Sequence, residues 1–370
     1  MEPILVHAQA LVYTLLNLMP SAHQKDSLQA LLALFLEAQG HPLPQHSPIK
    51  SAGALSRFLN HYPWPTRRLI REVRQQLLQQ LLRYSGRGRR PWLQLIVDLT
   101  TLEKCGKFKQ FAPLISVLQG KRGLHLVVLY LVVGQLRVPW GFRVWRGKGS
   151  ASSAQLAVRL IESVPKVLVQ AFRVVVLADT AFGSVLFLKA MRKRRYPVIV
   201  GVRCDRKLAD GRKVQDLASK GQQVVLEGLS FPVTISWLYL KRDGKLEKRF
   251  VLSTRPLKGS TITWWGRRRW SIEGFFKTIK HRFGLHRFGQ QTLLGVYRWF
   301  VLCLISFILA HWAYLSTGSS HLPDWAEAAA AALQSLFPEV VVCLLLTKLE
   351  RHRELLRSVG FDLQLVAGKT

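Results

Sequence analysis

Arg269, Glu273, Lys277 and Lys280 fall at i, i+4, i+8 and i+11 within residues 264–285, WWGRRRWSIEGFFKTIKHRFGL. On a helix these positions gather on one face, setting one carboxylate among three cations. Such a face is either an ordinary solvated one with i,i+4 pairing, or a metal ligand flanked by phosphate clamps. Ile272, Phe276, Ile279 and Phe283 recur at three- and four-residue steps and form a separate apolar stripe, which predicts one helix through the stretch. Two further acids follow apolar runs: Asp98 ends LQLIVD (residues 93–98), and Asp179 follows RVVVLA (residues 173–178). A carboxylate in such a place must be solvated, paired or metal-bound, and strand ends are where sites assemble in α/β sheets. Each acid alone reads as a turn cap. The three together point to an acidic site.

Those residues need a frame, and the periodicity supplies one. Residues 1–90 read as helical, with apolar periodic runs at 11–18, 28–36, 52–59 and 69–82 and breaks at Pro42, Pro44, Pro48, Pro63 and Pro65. The run LSRFL at 55–59 follows a Pro-marked loop, as the second helix of a DNA-reading pair would; a plain helical bundle gives the same pattern. The basic, Gly-rich run SGRGRRP at 85–91 is a natural boundary.

Beyond it the period shortens. Residues 93–98, 124–133 and 142–145 read as strands, 153–164 as a helix, 173–178 as a strand buried on both faces, 184–194 as a helix and 197–203 as a strand. The order predicts a mixed α/β sheet covered by helices over residues 91–203. Residues 204–258 read as a β-rich insertion, with strands at 224–226, 233–241 and 247–253 and a hairpin turn at Arg242, Asp243 and Gly244. The helix carrying Glu273 follows within residues 259–290, and residues 291–370 read as helical, at 293–314, 325–336 and 340–356.

Composition narrows the partners. The 370 residues carry a net charge of +33, from 54 Lys+Arg against 21 Asp+Glu. That imbalance repels itself when folded and calls for a polyanion, most often nucleic acid. Eleven Trp and eighteen Phe exclude a disordered basic tail. Cys105, Cys204, Cys303 and Cys343 are scattered, form no CxxC pair and suit a reducing cytoplasm. His281 and His286 lack further ligands at finger spacing, and without a GxxxxGK[ST] run no ATP use is expected. The N-terminus shows no signal-peptide pattern. Residues 299–316 approach transmembrane length, but His311 interrupts them and a buried core helix is expected. The basic run at 192–195 reads as a solvated helix end, and Trp237 as a packing residue of the β-rich segment or a stacking platform for an unpaired base.

The acids sit in recognisable motifs. Arg269, Glu273 and Lys280 match a Tyr–x2–Arg–x3–Glu–x6–Lys signature, RWSIEGFF at 269–276 resembles an RW-x-IE-x-FF core, IVDLT surrounds Asp98, and ADTAFGS surrounds Asp179. The pattern, over about residues 92–315, resembles the DDE transposases of bacterial insertion sequences, in the branch carrying that signature (insertion-sequence family four). The signature Tyr falls at Gly266, with Trp264 and Trp265 close by. The resemblance implies an RNase H-like catalytic core with a β-rich insertion, flanked by helical N- and C-terminal regions, the first of them DNA-binding. It implies Asp98, Asp179 and Glu273 as catalytic acids and ligands of two Mg2+, with Mn2+ as a substitute. Arg269, Lys277 and Lys280 would hold DNA phosphates. The implied partners are double-stranded DNA, as terminal inverted repeats and target, and a second copy on paired ends, in the cytoplasm and without ATP or membrane. The alternatives are an inactive relative that only holds DNA, kept open by Gly266, and a membrane-associated basic protein, resting on residues 299–316.

Overall fold

The structure, a computed structural model, describes residues 4–86, 88–104, 110–242, 244–318 and 324–362. Arg87 of the basic run, Cys105, and Asp243 of the hairpin turn lie outside them. The chain divides into two compact units, Met1–Val73 with Thr278–Thr370, and Arg74–Lys277.

The second unit is built on nine strands in one sheet among the described residues: β1 (Trp92–Glu103), β2 (Ser116–Leu118), β3 (Lys121–Val133), β4 (Leu136–Trp145), β5 (Arg173–Ala178), β6 (Val198–Val202), β7 (Gln222–Val224), β8 (Val233–Arg242) and β9 (Lys245–Ser253). Their order is β2-β3-β1-β5-β6-β9-β8-β7, with β4 also paired to β3. β1, β3 and β4 form an antiparallel meander, and β5 and β6 run parallel to β1. The crossovers into the parallel strands carry α5 (Ser153–Glu162), α6 (Lys166–Ala171) and α7 (Val185–Lys193), as parallel pairing requires. This is the mixed sheet of an RNase H-like core.

The strands at 222–253 continue that sheet rather than standing apart from it. β9 pairs antiparallel with the free edge of β6, from Ile199↔Ser253 to Val202↔Phe250. An open edge of backbone donors and acceptors accepts any strand of suitable length, which the strand's own sequence does not announce.

Two expected boundaries shift. Asp98 was expected at the end of a strand, but β1 runs on to Glu103 because β3 pairs with it as far as Glu103↔Gly123. What stops beside Asp98 is the parallel ladder to β5, whose last pair is Val97↔Ala178. The single helix expected over residues 264–285 is two, α8 (Gly259–Arg268) and α9 (Ser271–His281). At the junction the Trp270, Ile272 and Glu273 amides bond three residues back, to Arg267, Arg269 and Trp270, a tight 3-10 step that re-aims the second helix.

The first unit holds α1 (Ile4–Asn17), α2 (Ala22–Glu37), α3 (Ala52–Asn60) and α4 (Thr66–Arg83) as far as Val73, together with α10 (Leu293–Ser316), α11 (Trp325–Leu336), α12 (Pro338–Arg351) and α13 (Arg353–Ser358). The N- and C-terminal helices thus share one core, which chain order alone did not suggest. α10 is its axis, packing against α1, α2, α3 and α11. Phe35 meets Trp299 edge-on at 4.7 Å, and Phe307 stacks on Trp325 at 4.6 Å. α10 is long and apolar enough to cross a membrane, yet 78% of its most apolar window is buried inside the protein. Its one charge, Arg298, is buried and satisfied: it donates to the Phe58, Leu59 and Trp64 carbonyls and to Thr66 Oγ1, and its guanidinium lies 4.1 Å from the Trp64 ring centroid. The helix expected at 340–356 divides at His352 into α12 and α13.

Candidate active site

Along β1 successive side chains alternate between faces, so Trp92, Gln94, Ile96 and Asp98 share one. Trp265 of α8 meets Trp92 edge-on at 5.3 Å. Tyr130, paired with Ile96 across the ladder, stacks on Phe275 of α9 at 4.7 Å. α8 and α9 therefore lie across that face, and the junction between them delivers Arg269 to Asp98.

Arg269 Nη1 donates to Asp98 Oδ2 at 2.7 Å, and Nη2 donates to Glu273 Oε1 at 2.7 Å. One guanidinium thus joins two of the three predicted acids. The i,i+4 spacing supplies the second bond; the first spans 171 residues and depends on the fold. Asp98 Oδ1 accepts from the Leu99 amide at 2.7 Å, so both its oxygens are engaged. The Asp98 and Arg269 side chains are 12% and 13% exposed, whereas Glu273 is 56% exposed and opens to solvent.

Asp179 follows Ala178, the last β5 residue in register with β1. Its extended backbone (φ −81, ψ 169) carries it past the ladder beside Asp98, with neighbouring strands about 4.8 Å apart. Burial drives the Asp98 pKa up from 3.8 to about 7; Arg269 and the Leu99 amide oppose the rise, and repulsion from Asp179 and Glu273 adds to it. The three acids therefore act on one another electrostatically, and one of them holds a poorly compensated charge.

A glycine unnoticed in the sequence supports this corner. Asp179 stands at the N-cap position of a 3-10 turn, Thr180–Phe182, without a side-chain capping bond, and the turn packs against β6 at Gly201. A Cβ at Gly201 would collide with Thr180 Oγ1 and come within 2.9 Å of the Thr180 nitrogen. Gly inside the apolar strand VIVGV is the available signal, since a strand glycine often marks a close backbone approach.

The remaining predicted residues are placed as follows. Lys277 is exposed on α9, one turn beyond Glu273; Lys280 lies further along α9, in the first unit. Trp237 is only 7% exposed, against Phe250 with ring centroids 5.7 Å apart and with Lys248 Nζ 4.2 Å from its ring. It packs the sheet, and no base-stacking role follows for it. A Cβ on Gly266 would stand 3.4 Å from Val251 and 3.9 Å from Leu238, so a side chain there is directed at β9 and β8.

Three carboxylates, one buried with its charge ill-compensated, match in kind a hard divalent cation. Among the described residues no three His, Cys, Asp or Glu side chains converge as a ready-made cage; between Asp98 and Glu273 the positive charge is Arg269. The three acids supply oxygen donors of the kind such an ion takes.

An RNase H-like sheet with an acidic cluster at the end of its central parallel ladder defines the class. The family model described as transposase DDE domain matches residues 93–309, more than half of the chain, and the chain belongs to that family. Domains of this family generally use divalent metal ions. No curated protein matches the sequence. Among solved structures, the piggyBac transposase synaptic complex with hairpin DNA is similar, with a TM-score of 0.50 at 14% identity, over 99% of this chain and 84% of that one. At that identity the likeness is one of fold.

Proposed function

We propose that this transposase cuts DNA at the ends of an insertion sequence and joins those ends to target DNA, as the Tyr–Arg–Glu–Lys branch does. The observation that carries the proposal is the placement of Asp98 beside Asp179 at the end of the parallel ladder, with Glu273 tied to Asp98 through Arg269. Cleavage and strand transfer are in-line displacements at a charged phosphodiester, with water and then a DNA 3′-hydroxyl attacking.

Asp98, Asp179 and Glu273 would hold two divalent cations, Mg2+ with Mn2+ as a substitute, which when bound activate the attacking oxygen and stabilise the leaving one. Asp98 fixes the buried end of the site, in a low-dielectric setting that strengthens attraction to a cation. Glu273 presents its carboxylate to solvent, where a duplex can approach. Arg269, Lys277 and Lys280 neutralise the scissile and flanking phosphates. Exposed Arg57, Arg67, Arg68 and Arg71 on α3 and α4 give the first unit its own DNA-backbone contacts. The protein would act in the cytoplasm as a homodimer on paired ends, without ATP.

The alternative is an inactive relative that only binds DNA; it rests on Gly266 at the position of the signature Tyr, where a Cβ would stand 3.4 Å from Val251. The test is Asp98→Asn: DNA binding in a gel shift persists and weakens with salt, while metal-dependent cleavage is lost. Cleavage by the variant at the wild-type rate would remove Asp98 from the mechanism.

A further inference from the structure

Arg269 is expected on DNA phosphate, yet here its fork is divided between Asp98 and Glu273 at 2.7 Å each. Its side chain is as buried as that of Asp98. A guanidinium that bridges two carboxylates occupies the place a divalent cation would take between them. The two compete for it, because both would draw on Asp98 Oδ2 and Glu273 Oε1 and like charges would meet at short range. Asp98 Oδ1 already accepts from the Leu99 amide, so a cation taking that oxygen would share it with the amide.

We infer that Arg269 is an exchangeable internal counter-ion, holding Asp98 and Glu273 in the metal-free chain and moving to a phosphate when DNA arrives, so that the metal site opens with substrate. The inference rests on the proposed metal role of the two acids. A phosphodiester offers the guanidinium two oxygens in the same planar, bidentate geometry it gives up. The exchange therefore replaces one paired arrangement by another and frees the carboxylates for the cation. Free protein would bind divalent ions weakly, and binding of phosphate and of metal would reinforce each other, as linkage requires. Lys at this position would not serve equally, since one ammonium lacks the fork that spans two carboxylates.

The test is Mn2+ binding to the full chain, followed by electron paramagnetic resonance at pH 8 without DNA. Sulfate against chloride at equal ionic strength serves as a phosphate mimic that does not base-pair. Arg269→Gln should bind Mn2+ about tenfold or more tightly than wild type, reflecting loss of competing charge-assisted bonds, with Arg269→Lys in between. Sulfate should tighten Mn2+ binding to wild type and leave Arg269→Gln unchanged. Mn2+ bound by wild type and lost in Asp98→Asn, but held no more tightly by Arg269→Gln or Arg269→Lys, would overturn the exchange while leaving the metal-site reading intact. Mn2+ binding that is indifferent to Asp98→Asn would overturn the metal-site reading and the exchange with it. Circular dichroism of each variant shows whether it is folded.

Discussion

Asp98→Asn should make the protein more stable in alkaline, metal-free buffer while abolishing its chemistry. Asp98 has a folded pKa of about 7 against 3.8 unperturbed. Between about pH 4 and pH 7 the folded state keeps a proton that the unfolded chain has released, so stability falls as pH rises and levels off above 7. The difference of about 3 in pKa, at 1.36 kcal/mol each, corresponds to about 4 kcal/mol lost at pH 8. Asn removes that cost but weakens the charge-assisted bond from Arg269, a loss on the order of 2 kcal/mol, so a net gain of about 2 kcal/mol is expected. For a unit of this size that is roughly 4–8 °C in Tm. Differential scanning calorimetry in EDTA from pH 4.5 to 8.5 measures it: the variant's advantage should be greatest above pH 7.5 and shrink steadily toward pH 4. A variant less stable than wild type at pH 8, or an advantage independent of pH, would refute the picture of an ill-compensated buried carboxylate.

Other perturbations follow from the same geometry. Mg2+ should raise the wild-type Tm more at pH 8 than at pH 5.5 and leave that of Asp98→Asn nearly unmoved, checked by thermal melts across a Mg2+ series. Gly201→Ala should cost on the order of 1–3 kcal/mol through overpacking and reduce cleavage further by displacing Thr180 and Asp179; urea denaturation with a cleavage assay reads both. Gly266→Ala should be neutral or stabilise by about 0.5–1 kcal/mol as an interior helix glycine replaced without a clash, whereas Gly266→Tyr should overpack against Val251 and Leu238, a contrast that paired melts resolve. Arg298→Met should destabilise the first unit by on the order of 3 kcal/mol, since it strands the buried Phe58, Leu59 and Trp64 carbonyls; its chemical-denaturation midpoint reports this.

The acids could be recognised in the sequence because carboxylates after apolar runs conflict with burial, and such a conflict is visible residue by residue. The Ile272, Phe276, Ile279 and Phe283 stripe was legible for the same reason, and all four are buried. Other features were not legible. β1 passes Asp98 because a partner strand extends its ladder, and the pairing is set by β3 rather than by the sequence around Asp98. The α8–α9 break contains no Pro or Gly at residues 269–270; it arises where two helix segments anchor separately, through Trp265 on Trp92 and through Phe275 on Tyr130. Arg269 carried the right charge for a phosphate clamp, but its hydrogen bond to Asp98 joins residues 171 positions apart, beyond the reach of any local pattern. The edge taken by β9 and the common core of N- and C-terminal helices are likewise long-range choices.

The most direct test of the account is nicking of supercoiled plasmid by purified protein in Mg2+ or Mn2+ and in EDTA, with Glu273→Gln alongside. The account predicts cleavage by wild type only with metal, and none by Glu273→Gln although that variant still shifts DNA in a gel. Cleavage by Glu273→Gln at the wild-type rate, or cleavage by wild type that persists in EDTA, would contradict it.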